Sequence, residues 1–385
     1  MSGIYIHIPF CKQAGHYCDF HFSTSLKKRD ELVLALAKEL EMRKDEFNNI
    51  TVETIYFGGG TPSLLTTDEL QFLIKKVYEY YKVSETPEIT LEANPDDLIQ
   101  AKLSVREVSS TIFEAYKKIG INRLSIGIQS FFEDDLKLMN RAHNSQEAKS
   151  CLEEAKRYFD NISIDLIYGI PGLTIAQWQK NIDIALSFEI PHISSYVLTV
   201  EPKTAFESFI RKGIIENVDD DLSREQFHIL VETLEAHDFV HYELSSFGKK
   251  GFFSRNNSAY WQGKPYLGIG PSAHSFSGNT RSWNIKNNSK YIKVIEAGAF
   301  PKETETLSTT DSYNEYVMIG LRTAWGVSLQ NVASNYGLEY KKHLLEQSQT
   351  FINQQLLYID DEKLLVTKKG KFLCDGIASE LFILN

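Results

Sequence analysis

Residues 3–18 read GIYIHIPFCKQAGHYC. The first half alternates β-branched and aromatic residues, which is the period of a strand. The second half turns polar and carries Cys11 and Cys18 in a loop leaving the strand's C-terminal end. The succession recurs outward from there. Residues 26–47 carry Leu32, Leu34, Leu36 and Leu40 among many charges and predict a helix. Residues 51–57 predict a strand that runs into Gly58-Gly59-Gly60-Thr61-Pro62, followed by a helix over 67–81. Further strands are expected at 88–93, 123–128, 162–168 and 192–200. Helical stretches are expected up to residue 118 and over 133–158 and 175–188. Six strand-then-helix units imply an α/β fold, a parallel sheet with right-handed crossovers closed into a barrel or part of one. The residues just after the strands read GGGTP, EANP, QSF and GIPG. Glycine and polar residues there point to a site at the C-terminal edge of the sheet.

Past about residue 201 the alternation stops. Helical patterns at 314–323, 329–336 and 340–354 precede a hairpin-like pair, 357–360 and 364–366, and a last helix. Helices followed by a small β-wing predict a winged-helix-like C-terminal domain. The expected division is a core over 1–235, an extension over 236–305 and the C-terminal domain over 306–385. The C-terminal segment has no strong basic stripe, so an interaction or lid role is expected rather than DNA binding. Residues 98–118 exceed one crossover helix and read as a surface elaboration.

Hydrophobic residues make up 42% and charged residues 24%, ordinary values for a globular chain. The net charge of -10 argues against affinity for nucleic acid phosphates or an anionic membrane. No apolar run reaches bilayer length, and the N-terminus has no secretion-signal pattern. Four cysteines are too few for a disulfide-stapled fold and suit a reducing cytosol; Cys151 and Cys374 read as small buried side chains.

The cysteine loop is the segment with chemistry. Two cysteines with six residues between them are weak alone, and a lone glycine run is weak too. In chain order, however, Tyr5, the cysteine loop, GGGTP, LEANP around Glu92, RLSIGIQSF around Gln129, NRAH around Arg141 and IDLIYGIPG around Asp165 resemble the radical S-adenosylmethionine (SAM) superfamily. Within it they resemble the oxygen-independent coproporphyrinogen III oxidase-like family, over nearly the whole chain. The resemblance implies a partial (β/α)6 barrel of TIM-like kind and a [4Fe-4S] cluster held by a C-x3-C-x2-C loop, its open iron taking SAM. It implies that Cys11 and Cys18 bind iron and that Tyr5, Tyr17, Gly59, Gly60, Thr61, Glu92, Gln129, Arg141 and Asp165 contact SAM. Thiolates suit such a cluster, Glu92 and Asp165 can accept from an amine or ribose hydroxyls, and Arg141 can pair with a carboxylate. Taken singly, each would read as a strand-end polar group in a capping network.

One position departs from the pattern. Gly15 stands where the middle cysteine is expected, and glycine offers no ligand atom. His16 is an imidazole one residue off register.

Two branches of the family differ near this loop. The decarboxylating coproporphyrinogen III dehydrogenases carry a further cysteine where this chain has Phe20, and a longer N-terminal arm. Both differences resemble the HemW-type heme-chaperone branch, which implies heme, heme-acceptor proteins as partners and room for a homodimer. The stretch around Asn257, Tyr260 and Trp261, followed by YLGIGPSAH ending at His274, resembles that branch's H-N-x-x-Y-W heme motif. Asn256 stands where its histidine is expected, leaving His274 as the nearby imidazole. Three functions follow: a heme chaperone, a coproporphyrinogen III dehydrogenase, and a degenerate member without a working cluster. Phe20 and the short N-terminus argue against the second, and Gly15 argues for the third.

Overall fold

A computed structural model describes residues 2–18, 21–47, 50–99 and 111–384 of the chain. Phe20 and most of the 98–118 elaboration lie outside the described residues.

The core begins β1 (Gly3–Ile8), α1 (Arg29–Met42), β2 (Val52–Gly59), α2 (Thr67–Tyr80) and β3 (Val83–Ala93). It continues through α3 (Pro95–Ile99), α4 (Ile112–Lys118), β4 (Arg123–Gln129), α5 (Glu133–Leu138) and α6 (Ser145–Ala155). β5 (Ile162–Tyr168), α7 (Ile175–Ser187) and β6 (His192–Val197) complete the repeat. β1 to β6 lie side by side in chain order, each parallel to the next. This is the α/β partial barrel the alternation predicts.

Then follow α8 (Ala205–Arg211), α9 (Asp220–Ala236), β7 (Val240–Glu243), β8 (Ser246–Gly248) and α10 (Arg255–Trp261). β9 (Tyr266–Ile269), β10 (His274–Ser277), β11 (Thr280–Asn284), α11 (Asn288–Glu296) and β12 (Lys302–Thr306) end this part. These strands extend the same sheet at both sides. β9 lies parallel to β1 and leads to antiparallel β10, β11 and β12, while β8 and β7 continue beyond β6.

The C-terminal part holds α12 (Thr309–Leu321), β13 (Val327–Ser328), α13 (Leu329–Asn335), α14 (Leu338–Asn353), β14 (Leu357–Asp360), β15 (Lys363–Val366) and α15 (Cys374–Glu380). It has its own apolar core around Tyr313, Val317, Leu344, Leu364 and Leu381 and its own three-stranded sheet, the helices-then-wing pattern.

Local signals explain most element boundaries. Leu32, Leu36 and Leu40 are four apart and buried, whereas Leu34 falls on the outer face at 64% exposure. Each buried leucine contributes about 2 kcal/mol. Thr66/Glu69, Asn144/Glu147, Thr174/Gln177 and Ser308/Asp311 form reciprocal capping boxes, which start α2, α6, α7 and α12 where they do. The helix expected over 133–158 is two helices. Asn140 adopts a left-handed φ of 56° and Asn144 caps a new start, so the chain turns between them. That turn places Arg141 toward the barrel mouth. The helix expected over 26–47 likewise stops at Met42, where Arg43 turns inward at 1% exposure, and a short 3-10 turn follows. No helix among the described residues is long and apolar enough to cross a membrane.

Candidate functional site at the barrel mouth

Strand alternation sends Tyr5 and His7 of β1, Tyr56 and Gly58 of β2, and Glu92 of β3 to one face. A Cβ on Gly58 would lie within 3.0 Å of Tyr5, Tyr56 and Glu92 side chains, so these groups converge on one point. Tyr56 Oη donates to Glu92 Oε1 (2.8 Å), and the Gly59 N–H donates to Glu92 Oε2 (3.1 Å). The Tyr5 ring stacks on Tyr56 at 5.9 Å, and Tyr5 Oη bonds His7 Nδ1 at 3.1 Å. Gly59 has φ 114°, and a Cβ on Gly60 would come 2.5 Å from the Phe10 carbonyl. Only glycines let this turn lie against the cysteine loop.

A second chain of bonds ties five motifs together. Asn94 of EANP donates to Thr61 Oγ1 of GGGTP (3.2 Å), and Arg141 Nη2 donates to Asn94 Oδ1 (2.5 Å) and the Gly127 carbonyl (3.1 Å). Arg141 Nη1 reaches Tyr17 Oη of the cysteine loop at 3.4 Å. All these acceptors are neutral and Arg141 Nε has no hydrogen-bond partner, so the guanidinium keeps its charge for an anion. Gln129, at φ 66°, lies beside it, since a Cβ on Gly127 would meet Gln129 Nε2 at 2.9 Å and Arg141 Nη2 at 3.2 Å.

Burial pushes the Glu92 carboxyl up to about 7, against the bond from Tyr56, with the Asp165 charge adding to the rise. Burial pushes Asp165 up to about 6, opposed by Arg123 and Arg141. Tyr196 is 46% exposed and yet faces both carboxylates, so the mouth is open. The structure therefore gathers Tyr5, Tyr17, Gly59, Gly60, Thr61, Glu92, Gln129, Arg141 and Asp165 around one opening. Sequence reading missed Tyr56, Asn94, Arg123 and Tyr196. Tyr56 and Tyr196 share the inward face of their strands with Gly58 and Ser194, a signal the period-2 pattern contains.

The cysteine loop is fastened at several points. Asn140 Nδ2 donates to the Ala14 carbonyl (2.7 Å), Gln13 Nε2 donates to Asn140 Oδ1 (2.7 Å), and Lys12 pairs with Asp96 (2.8 Å) and Asp97. Cys11 and Cys18 are half-buried, and neither is in a disulfide. A Cβ on Gly15 would lie 2.8 Å from Cys18 Sγ, so a side chain here would point at that sulfur. His16 is used elsewhere. Its Nδ1 donates to the Leu138 carbonyl (2.9 Å), and its ring stands edge-on to Phe209 at 5.0 Å. Two thiolates with no third ligand among the described residues do not fit a cluster that the superfamily holds by three. Among the described residues no group of three or more Cys, His, Asp or Glu is placed to hold a metal ion.

The heme-motif stretch begins at the floor of the barrel and continues into the paired β9 and β10. Its N–H groups at Arg255 and Asn256 donate to the Glu88 carboxylate (3.1 Å each), and Thr54 Oγ1 donates to Asn256 Oδ1 (3.0 Å). Asn256 is 2% exposed beside Gly3, at the N-terminal floor of the sheet. The Asn257 N–H donates to the capping Ser254 Oγ (3.2 Å). Tyr260 packs against Tyr266 (4.3 Å), and Trp261 lies under the Arg322 guanidinium (5.5 Å). His274 lies two residues further up the same side of the sheet than Tyr266, beside Gly268, which pairs with Tyr5. It opens β10, is exposed, stacks on Trp283 at 6.0 Å, and faces His7 at the top of β1. Asn256 and Asn257 thus lie in the floor, whereas Tyr260 reaches toward Tyr5 and Glu92 and packs on Tyr266, which pairs with Phe276 two residues from His274.

Comparisons agree with this architecture. The radical SAM superfamily matches residues 5–185, and the HemN C-terminal domain matches residues 307–373. The heme chaperone HemW of Bacillus subtilis (strain 168) is 34% identical over 377 residues, covering 97% of each chain. That of Lactococcus lactis subsp. lactis is 31% identical over 386 residues, covering 98% of each. Among solved structures, the coproporphyrinogen III oxidase HemN from Escherichia coli, described as a radical SAM enzyme, superposes with a TM-score of 0.83. It is 22% identical, with 99% of this chain and 90% of that one covered, which is a likeness of fold.

Proposed function

Since the chain belongs to the HemW family of radical SAM proteins, we propose that it binds heme and passes it to acceptor proteins, with SAM held at the barrel mouth. The observation that carries this is full-length identity of 30% or more to relatives named heme chaperones. The mouth supports the SAM part. Arg141, with its unpartnered Nε, suits the SAM carboxylate, and Glu92 and Asp165 suit its amine and ribose hydroxyls. The glycine turn at 58–60 leaves space no side chain could leave. Tyr5, Tyr17, Thr61 and Gln129 complete the wall. SAM itself supplies, in this superfamily, the sulfonium bond whose reductive cleavage gives a radical.

For heme, His274 is the better axial ligand on this chain. It is an exposed imidazole backed by the Trp283 ring, whereas Asn256 is enclosed in the floor. Asn257, Tyr260 and Trp261 then act by closing that floor and bracing the C-terminal part through Arg322. We place the boundary of that part near residue 306, between the two apolar cores, and the strands of 236–305 with the barrel.

Gly15 favours a second reading, in which the fold and SAM binding persist without a resident cluster. Membership in the superfamily implies a [4Fe-4S] cluster, and Cys11 and Cys18 are the residues left to hold it. Anaerobic reconstitution with iron and sulfide separates the readings. We expect the chain to retain little cluster, and Gly15→Cys to retain about four irons per chain. A stable cluster in the unaltered chain removes the second reading. Heme titration, followed by absorbance, is expected to show a shift that His274→Ala abolishes. No heme-dependent change in the unaltered chain defeats the chaperone reading.

A further inference from the structure

Lys371 begins a short 3-10 turn (Lys371–Leu373) where the C-terminal part meets the barrel edge. Phe372 beside it packs on Phe227 of α9 at 5.6 Å, and the Lys371 side chain is only 22% exposed. Lys371 Nζ lies 2.7 Å from His241 Nδ1 of β7. His241 Nε2 lies 3.0 Å from the Leu244 carbonyl, which can only accept, so Nε2 carries the proton and Nδ1 accepts from the lysine. The direct partner of this amine is therefore a neutral ring. The carboxylate paired with it, Glu235 of α9, is 3.9 Å away through Oε1, and Lys368 holds its other oxygen. A buried amine without a close carboxylate gives up its proton early. Burial brings Lys371 down to about 8, with Glu235 opposing and Lys368 assisting.

A cavity of about 150 Å³ opens on this amine, in the seam between the barrel edge and the C-terminal part. Its apolar wall is Leu244 from the barrel with Leu321, Leu365 and Val366 from the other side. Cys374 of α15 and Tyr358 of β14 face it too. The remaining charged groups there are Glu243 of β7 and Arg322 after α12, and they oppose each other in sign. The Ser245 N–H donates to Glu243 (3.1 Å), and Arg322 Nη1 donates to Asp375 (2.6 Å). The cavity thus suits a neutral molecule of a few heavy atoms.

We propose that Lys371 is a covalent modification site, which forms an imine with a short-chain aliphatic aldehyde seated in this seam cavity. The proposal rests on neither the SAM nor the heme reading. A lysine desolvated in an apolar pocket is the nucleophile that imine chemistry uses. The Nζ lone pair attacks the carbonyl carbon, the C=O π pair moves to oxygen, and that oxygen takes a proton from the nitrogen. The resulting carbinolamine loses its hydroxyl and the second amine proton as water, which leaves the C=N bond. Nothing is oxidised or reduced in the sequence. His241 Nδ1 holds the amine at the cavity wall, and the leucines and Val366 take the alkyl chain.

The test incubates the full chain with butanal and cyanoborohydride, which reduces an imine to a stable secondary amine, and locates the butylated lysines by peptide mass spectrometry. Lys368, 73% exposed and paired with Glu235, is the internal reference. Trapping at Lys371 is expected to exceed that at Lys368 about tenfold or more at pH 7. The ratio should fall as pH rises past about 8, where Lys371 is already deprotonated and the exposed amine begins to follow. Lys371→Arg keeps the positive charge and is expected to remove the fast adduct while the other lysines react as before. With naphthaldehyde, too bulky for the cavity, the preference for Lys371 is expected to vanish. A ratio near one with butanal at pH 7 overturns the inference. A preference that survives with naphthaldehyde overturns the seam cavity as the place where the aldehyde sits.

Discussion

Two buried polar assemblies lie within one barrel, and they differ in whether their bonding capacity is met. Around Glu39 and Arg43 it is filled. Glu39 accepts from Arg43 (3.2 Å), Asn284 (2.7 Å), the Gly270 N–H (2.8 Å) and Tyr291 Oη (2.5 Å). Arg43 also donates to the Gly268 carbonyl (2.8 Å), Ser275 (3.2 Å) and Glu46 (2.7 Å). At the mouth, by contrast, Arg141 Nε, Arg123 Nε and Thr90 Oγ1 are left without partners, and two carboxylates share the space. The first assembly fastens the β9–β10 turn that carries His274 to α1. The second keeps donors and charge in reserve. Satisfied buried polarity marks architecture here, and unsatisfied buried polarity marks the place where a ligand is expected.

Breaking the satisfied assembly has the largest expected effect. Glu39→Ala takes the shared acceptor from the buried Arg43, Asn284, Gly270 N–H and Tyr291 and is expected to cost about 3–5 kcal/mol, measured by denaturant unfolding. Heme binding should weaken with it, because the His274 turn loses its anchor. Next comes Glu92→Gln at the mouth, expected to weaken SAM binding about 10–100-fold, as calorimetry would show. Its stability should move the other way. Glu92 and Asp165 have folded-state pKa values raised by burial to about 7 and about 6. Their contribution to stability is therefore fully present below the ordinary carboxyl range and is lost as pH rises through 6 to 7. The Tm of the Glu92→Gln variant is expected to exceed that of the unaltered chain by roughly a few degrees at pH 8 and to match it near pH 4. A lower Tm at pH 8 would erase the contrast between the two assemblies.

Asn256→His sharpens the comparison from the floor. Position 256 is enclosed and bonded to Thr54, so a larger ring there is expected to cost about 1–3 kcal/mol and to add no heme absorbance. A gain of heme affinity would return the motif to its expected place. The smallest effect is Thr66→Ala, which removes one exposed capping box. It is expected to cost about 1 kcal/mol with SAM and heme binding unchanged.

Much of this was legible before any coordinates. The strand-then-helix rhythm carries the barrel, because each strand's period of 2 gives way to a helical period at a glycine or capping residue. The mouth residues stood out because they follow strand ends, where polar side chains have no packing duty. Arg123 and Glu88 begin the strands expected from the sequence and read like ordinary polar ends; only the assembled sheet shows that they point inward. The break at 139–144 was hidden since 133–158 keeps a helical pattern on both sides, and Asn140 alone interrupts it. Asn256 read as a damaged ligand position. The fold instead makes it a floor residue, because its N–H donates to Glu88 and its side chain accepts from Thr54 beside the first residue of β1.

The great sheet stops at two unlike edges. At one, the C-terminal part covers β7: the Ala324 N–H donates to the Tyr242 carbonyl (2.9 Å), and Glu243 bridges to Thr323. At the other, β12 has a single strand neighbour and reads Lys-Glu-Thr-Glu-Thr, nearly all exposed. An open strand is a template for joining another molecule, and charges along it oppose that union. Glu303 and Glu305 thus guard the molecule against growing into fibres or stacks, a protection that acid would strip away.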